Sequence, residues 1–195
     1  MPRWLYSLLL YCALPCVAPW FLWKNRRDNQ AWGGLRERLA FGLVQRADHP
    51  LWLHAASVGE MRSLAVLLRQ LHRAGFPLLL TVGTMTGVAQ ARAFYRDLAK
   101  PPRPERRGLS VQAAPWDLPF AVRRFLRANQ PLAGVFVETE LWPNLIAAAR
   151  HANVPLCLVS ARLTERSLHG YLRWAPPVDA RHGVFLHQHR RAERD

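Results

Sequence analysis

The chain has 195 residues; half are hydrophobic, and 27 Lys or Arg against 13 Asp or Glu give a formal charge of +14. A half-apolar chain with eight Trp and eight Phe can bury a core, which excludes wholesale disorder and an acidic, solvating protein. Three cysteines, at 12, 16 and 157, are too few and too poorly spaced for a disulfide framework or a four-ligand zinc site, and they point to a reducing compartment.

The positive excess rests on arginine, since Lys24 and Lys100 are the only lysines. It attracts polyanions, whether nucleic acid, phosphorylated ligands or an anionic bilayer. In chain order, the first predicted element begins to choose among these. The 20 residues from Trp4 to Trp23 carry no charge, close to the roughly 20 that cross a bilayer's hydrocarbon core as a helix. Trp4, Tyr6, Trp20 and Trp23 cluster at its ends, where amphipathic rings favour headgroups, and Pro15 and Pro19 would kink it. Lys24, Arg26 and Arg27 follow, against Arg3 alone before it, so the positive-inside asymmetry places the rest of the chain in the cytoplasm. An uncleaved anchor over residues 1–24 is favoured over a cleaved signal peptide, because Pro19 would follow the one small-residue cleavage candidate, Ala18. A helix lying in the membrane interface is the remaining alternative.

Residues 25–49 continue basic, with Arg36, Arg38 and Arg46 outweighing Asp28 and Glu37. They read either as a juxtamembrane segment along anionic headgroups or as an ordinary solvated helix face. From residue 50 to 175 short apolar runs alternate with amphipathic ones. Residues 51–55, 77–82, 132–137 and 155–160 read as buried strands, with 111–113 as a weaker fifth. Residues 60–74, 88–99, 119–128, 144–152 and 163–174 carry helical spacing. This alternation predicts an α/β fold, a parallel sheet with helices on both faces, whose ligands bind beyond the C-terminal strand ends. Lys100 to Ser110, rich in Pro and Arg, reads as an exposed loop. Residues 176–195 read as a divergent, disordered tail; its histidines, His182, His187 and His189, show no metal-ligand pattern.

Four strand-to-helix junctions should therefore share one sheet edge. In the first, Ser57-x-x-Glu60 is a capping box, with the Ser oxygen on an N3 amide and the Glu reaching back to the N-cap amide. Beside that structural reading stands a functional one: a carboxylate among free amides, next to Gly59 where a ligand can approach closely, is placed to act as a general base. The second junction offers Thr84, Thr86 and Gly87 for a sugar or phosphate oxygen, or a plain threonine-capped turn. In the third, Glu138 and Glu140 fall on the same side of a strand, where like charges repel unless a cation such as Arg162 of the fourth junction intervenes. An ion-pair network and a catalytic pair both fit that pattern.

The segments His54-Ala-Ala-Ser-Val-Gly-Glu60, Thr84-Met-Thr-Gly87, Pro115-Trp-Asp-Leu-Pro119, Arg124-Phe125-Leu126, Glu138-Thr-Glu-Leu-Trp-Pro-Asn144 and Ala161-Arg-Leu-x-x-Arg-Ser167 with Tyr171 together resemble the 3-deoxy-D-manno-octulosonic acid (Kdo) transferases. The resemblance runs in order to about Tyr171. It implies a membrane-associated, cytoplasm-facing GT-B glycosyltransferase of two Rossmann-like domains, the first binding the lipid A precursor (lipid IVA) and the second the CMP-activated sugar, at the inner membrane. By position Glu60 matches the family's general base and Glu138 a carboxylate that stabilises the transition state. The resemblance makes Ser57, Gly59, Thr84, Thr86, Gly87, Glu140 and Arg162 acceptor-binding candidates, and implies no metal and no other cofactor. Arg62, Arg123, Arg127 and Arg162 are candidates for acceptor phosphates. The loop from Gly83 to Gly87 is shorter than in many relatives, and the likeness fades after Pro177. The expectation is thus of the N-terminal acceptor half, with the CMP-Kdo domain absent and the chain inactive alone. Its alternative is a non-catalytic, membrane-tethered glycolipid-binding module. Nucleic acid is not expected as a partner, because most of the tryptophans fall in core or anchor segments.

Overall fold

A computed structural model of the chain describes residues 2–26, 31–99, 108–137, 142–159 and 184–187. Six strands, β1 (Leu51–Ala55), β2 (Leu78–Val82), β3 (Leu109–Ala113), β4 (Ala133–Val137), β5 (Leu156–Val159) and β6 (Val184–His187), form one sheet in the order β3-β2-β1-β4-β5-β6. Every pairing is parallel, with Leu53 opposite Leu80 on one side and Val135 on the other. The chain starts in the middle and winds outward both ways. The order reverses between β1 and β4, and ligands of such sheets bind outside the strand ends at that switch point.

The period-two alternation of the strands divides the core. On one face Leu53, Leu78, Leu80 and Val82 pack against Met61, Leu64, Leu68 and Val88, which belong to or border helices α3 (Val58–Ser63), α4 (Ala65–Arg73) and α5 (Met85–Phe94). On the other, Trp52, Leu79, Phe136 and Leu158 pack against Val122, Phe125, Leu126 and Leu145, from α6 (Pro119–Asn129) and α7 (Pro143–His151). Strands buried on both faces must read as continuous apolar runs, as these do. The Rossmann-like α/β sheet with helices on both faces is the expected one.

Several details differ from the expectation. The helix predicted over 60–74 is two, because Leu64 adopts ψ −6° and turns the chain tightly between α3 and α4 while its side chain stays buried. Helix α5 begins three residues before Val88, since Thr84 caps it there, and a short 3-10 turn over Arg96–Ala99 follows. Of the proposed 100–110 loop, Leu109 and Ser110 belong to β3, and residues 100–107 lie outside the described set, as does the helix expected over 163–174. Strand β6 falls within the stretch expected to be a disordered tail; its Val-Phe-Leu-His run extends the sheet beside β5.

The basic segment 25–49 also differs. It contains helix α2 (Ala31–Arg38), and two of its three cited arginines are used inside the fold. Arg38 donates to the carbonyls of Gly83 (2.7 Å) and Ala114 (3.4 Å), at the ends of β2 and β3. Arg46 pairs with Asp48 through Nε (2.8 Å) and one terminal nitrogen (2.6 Å), and donates its other to Ser110 Oγ (2.8 Å). A guanidinium can be buried when its forked donors are met, as at Arg46; Arg38 meets two carbonyls through its terminal nitrogens and keeps Nε without a partner among the described residues. Arg36 alone of the three is exposed. Helix α1 (Arg3–Lys24) is unbroken across Pro15 and Pro19 and matches the predicted apolar helix.

Candidate active site

At the C-terminal end of β1 the chain leaves the sheet and enters α3 through the expected cap. Ser57 Oγ accepts from the Glu60 amide at 3.2 Å and donates to Glu60 Oε1 at 2.7 Å. Glu60 Oε2 accepts from the Ala56 amide at 2.8 Å, one residue earlier than the N-cap amide that the capping box predicts. The half-buried carboxylate is therefore held at both oxygens, with its position fixed by the first turn of α3. Each carboxylate oxygen has two lone pairs, so this holding leaves acceptor capacity for a further proton donor.

The second junction lies directly alongside. The Gly83 amide donates to the Ala55 carbonyl at 3.0 Å, and a Cβ on Gly83 would stand 2.7 Å from the Ala56 carbonyl oxygen, so only glycine lets the two loops touch. Thr84 Oγ1 caps α5 by accepting from the Gly87 amide at 3.0 Å. A Cβ on Gly87 would meet Val82 Cγ1 at 2.7 Å and Thr84 Oγ1 at 2.8 Å, so this glycine serves packing. Gly59 is different. Its nearest neighbour to an added Cβ is Ser57 Oγ at 3.8 Å, leaving open space beside Glu60. Ser57, Gly59, Thr84 and Thr86 are all exposed at this edge. Glu138, Glu140 and Arg162 lie outside the described residues. Arg62, Arg123 and Arg127 are exposed.

A cavity of about 200 Å³ opens beside these loops, with Ala56 and Gly83 in its wall. Trp52, Trp116, Trp142 and Phe136 supply aromatic surface, and three ionisable groups line it: Arg38, His54 and Asp117, only 6, 4 and 3% exposed. It draws on the ends of β1, β2, β3 and β4, and so occupies the switch point. Thr81 Oγ1 accepts from Trp52 Nε1 at 2.8 Å and stands 2.9 Å from His54 Nδ1, against 3.5 Å from the Leu53 carbonyl. The contact with Thr81 holds the ring through Nδ1 and keeps Nε2 for another partner. Burial pushes the His54 pKa down to about 4, so the ring is neutral at pH 7. Neither His54 Nε2 nor Arg38 Nε has a partner among the described residues.

Asp117 organises the third junction. Its carboxylate accepts the amides of Asn144 (3.0 Å) and Leu145 (2.7 Å) at the start of α7, while Asn144 Nδ2 donates to the Asp117 carbonyl (2.7 Å). Trp142 provides no side-chain cap to α7, and Asp117 does so from elsewhere in the sequence. Burial pushes its pKa up to about 6, against the lowering effect of those amides and of the Tyr6 hydroxyl.

Sequence reasoning thus finds Ser57, Gly59, Glu60 and Thr84 where the structure brings them together, and misses Arg38, His54 and Asp117. Two of the three were legible. Asp117 is a lone acid inside the apolar Pro115–Pro119 motif, and His54 shares a strand face with Trp52 two residues before it. Arg38 carries no such signal, because one arginine in a basic helix looks like any other. Among the described residues no three His, Cys, Asp or Glu side chains converge as a metal site would require.

Comparison with known proteins bears on this edge. The family model described as 3-deoxy-D-manno-octulosonic-acid transferase (kdotransferase) matches residues 33–191, beyond the point where the motifs alone lose the likeness. A 3-deoxy-D-manno-octulosonic acid transferase of Bordetella pertussis is 39% identical over 86% of this chain and 39% of its own length. One of Haemophilus influenzae is 37% identical over 88% of the chain and 39% of its length. A probable mitochondrial 3-deoxy-D-manno-octulosonic acid transferase of Arabidopsis thaliana is 32% identical over 89% and 37%. The chain spans about two-fifths of the length of these relatives.

Proposed function

The chain belongs to the 3-deoxy-D-manno-octulosonic acid transferase family, and from that premise we propose that its sheet edge is the acceptor side of a reaction transferring Kdo from CMP-Kdo to the lipid A precursor at the cytoplasmic face of the inner membrane. The observation that carries the proposal is Glu60, a carboxylate fixed at a helix start, half-buried, at the strand ends, with open space at Gly59 on one side and the switch-point loops on the other.

The proposed step needs one base. The acceptor hydroxyl gives its proton to Glu60 as its oxygen attacks the anomeric carbon of Kdo, and the bond from that carbon to the CMP phosphate breaks, with inversion. A nucleotide phosphate leaves without much acid help, whereas a sugar hydroxyl is a poor nucleophile until deprotonated. Glu138 is assigned to offset positive charge growing on the donor ring. Glu140 and Arg162 are assigned to the acceptor with Ser57, Thr84 and Thr86. Gly59 allows the approach, and Gly87 holds the second loop. The neighbouring cavity, with Ala56 and Gly83 in its wall, suits a sugar hydroxyl, since Arg38 Nε offers an unmet N–H donor and His54 Nε2 an unpartnered ring nitrogen in aromatic surroundings. The donor is assigned to parts of the enzyme outside residues 1–195, a reading supported by relatives more than twice this length. On that reading these residues alone bind acceptor without turnover.

The second reading, a membrane-tethered glycolipid-binding module without catalysis, draws on the same carboxylate, since capping α3 already occupies both its oxygens. One experiment separates the two. The chain is supplied with the remaining stretch of the Bordetella pertussis relative, and radiolabelled Kdo transfer to detergent-dispersed lipid IVA is followed beside acceptor binding by tryptophan fluorescence. The proposal expects transfer only in the complemented sample, and acceptor binding weakened in His54→Phe but kept in Glu60→Gln. Acceptor binding with no transfer after complementation supports the module and overturns the enzyme.

A further inference from the structure

The most informative surface outside the site is α1. At 1.5 Å per residue its 22 residues run about 33 Å, and the globular part holds the helix along most of that length. Near its start, the Tyr6 hydroxyl donates to the Asp117 carboxylate and Ser7 Oγ donates to Asn144 Oδ1 at 3.0 Å. At mid-helix, Tyr11 stacks on Phe120 of α6 with ring centroids 6.2 Å apart. Near its end, buried Phe21 meets Trp116 edge-on at 5.7 Å and receives the Arg38 guanidinium at 5.4 Å. Ser7, Leu10, Leu14, Ala18, Phe21 and Asn25, at helical three- and four-residue spacing, are all at least half-buried. The opposite face is almost wholly apolar and exposed, running from Trp4 through Leu8, Leu9 and Val17 to Trp20 and Trp23.

A spanning helix cannot keep these contacts. The domain would have to follow α1 from Phe21 back to Tyr6, about 22 Å along the axis, and so descend into hydrocarbon. It would carry Arg124 with it, an exposed residue of α6 whose guanidinium lies 4.2 Å from the ring centroid of Phe41, itself 6.2 Å from Phe120 beneath Tyr11. Charged groups face headgroups or water, and carrying one to mid-bilayer is costly. Pro15 and Pro19 also deprive the carbonyls of Tyr11 and Pro15 of their helical donors. At an interface, water and headgroups meet such groups, whereas a spanning helix must find partners for them in neighbouring segments or by local adjustment.

We propose that α1 lies in the plane of the membrane, one face on the domain and the other in the headgroup and upper acyl region of an anionic bilayer, with the N-terminus on the same side as the domain. Charge complementarity selects the occupant. Arg3 and Lys24 are exposed on α1 itself and Arg26 just past its end, Arg124 lies over Phe41 close to the Tyr11–Phe120 contact, and Lys24 and Arg26 sit over the rings of Trp20 and Trp23 at 4.8 and 4.6 Å. Aromatic rings paired with cations suit a negatively charged interface. Because α1 also lies on Trp116 and Asp117, which line the cavity, the switch-point edge opens at the membrane surface. A lipid-borne ligand would reach it with its acyl chains still in the bilayer. The inference concerns how the chain meets a membrane and stands apart from the chemistry of Glu60.

The test uses the whole chain with Cys12→Ser, Cys16→Ser and Cys157→Ala, carrying either Pro2→Cys near the start of α1 or Arg150→Cys on the exposed part of α7. Both are labelled with a membrane-impermeant maleimide in Gram-negative spheroplasts and in inverted inner-membrane vesicles. Both positions should react in inverted vesicles and be protected in spheroplasts. Reaction of the Pro2→Cys chain in spheroplasts, with the Arg150→Cys chain protected, would show a spanning helix and overturn the proposal. Purified chain should also float with vesicles of phosphatidylethanolamine and phosphatidylglycerol, weakly with phosphatidylcholine alone, and lose flotation in Trp20→Ser/Trp23→Ser. Failure to float with any vesicle, or equal flotation with neutral ones, contradicts an anionic occupant.

Discussion

His54 and Asp117 line the same cavity with opposite shifts, and each makes stability depend on pH. The His54 pKa lies near 4 in the fold against 6.5 for the free group, so the unfolded chain binds the extra proton first and stability falls as pH drops from 6.5 to 4. The Asp117 pKa lies near 6 against 3.8, so the folded chain holds the extra proton and stability falls as pH rises from about 4 to 6. Each shift of about two units corresponds to roughly 3 kcal/mol, and over this window the two largely offset. Denaturant unfolding at pH 4.5 and 7 should expose them separately. Asp117→Asn loses more stability than the parent on acidification, and His54→Asn loses less or gains. Two variants with the parent's pH slope would mean that neither shift exists.

Gly59 separates the structural from the functional reading of the first junction. It lies inside the first turn of α3 with nothing within 3.8 Å of an added Cβ. Gly59→Ala should therefore raise stability by about 0.5–1 kcal/mol, the ordinary gain in a helix. If the open space there admits the acceptor, the same change weakens acceptor binding. A more stable protein with unchanged acceptor affinity would remove Gly59 from the site.

At the scale of elements, the loops after β1 and β2 act as one unit because Gly83 lets their backbones touch. Gly83→Ala places a methyl group 2.7 Å from the Ala56 carbonyl, a backbone atom that cannot swing aside. Its expected cost is about 1–3 kcal/mol in unfolding experiments, with reduced acceptor binding. Thr84→Ala removes one cap bond from α5 and should cost about 1 kcal/mol. A Gly83→Ala cost well below about 1 kcal/mol would show that the loops do not share the strain of a close contact.

Elements of this kind were unevenly legible. The buried strands could be read because a parallel sheet covered on both faces demands unbroken apolar runs, and Leu78–Val82 is one. The caps at Ser57 and Thr84 are local and were visible in spacing. Leu64's turn was hidden inside a continuous helical pattern. Tertiary partners were hidden too: Arg38 looks like a surface charge until the ends of β2 and β3 present it with carbonyls, and Asp117 caps a helix that starts 26 residues later. The apolar character of residues 4–23 could be read directly, but not that one side of the helix packs on the domain, because both of its faces are largely apolar.

At the scale of the whole molecule, a basic, half-apolar chain becomes a doubly wound sheet whose functional edge is bordered by an apolar helix. Part of the positive charge works inside the fold, at Arg38 and Arg46, and part is exposed on α1 or just past its end, at Arg3, Lys24 and Arg26. This arrangement supports the proposed role on a phosphorylated glycolipid acceptor. It also predicts that membrane binding and catalysis can be separated, with Trp20→Ser/Trp23→Ser reducing transfer to vesicle-borne acceptor more than to acceptor dispersed in detergent. Equal losses in both assays would show that those tryptophans act on the site itself.

On the proposed mechanism, Glu60 removes the proton from the acceptor hydroxyl while still capping α3. Steady-state Kdo transfer by the complemented chain with Glu60→Gln measures this, since glutamine keeps the size and one acceptor oxygen for the Ala56 amide, turns the bond with Ser57 Oγ from accepted to donated, and removes the base. The expected result is a fall in kcat by about 10²–10⁴, with acceptor KM changed only a few-fold and thermal stability close to that of the parent. A variant that retains kcat, or whose loss lies wholly in KM, would contradict it and leave Glu60 a cap.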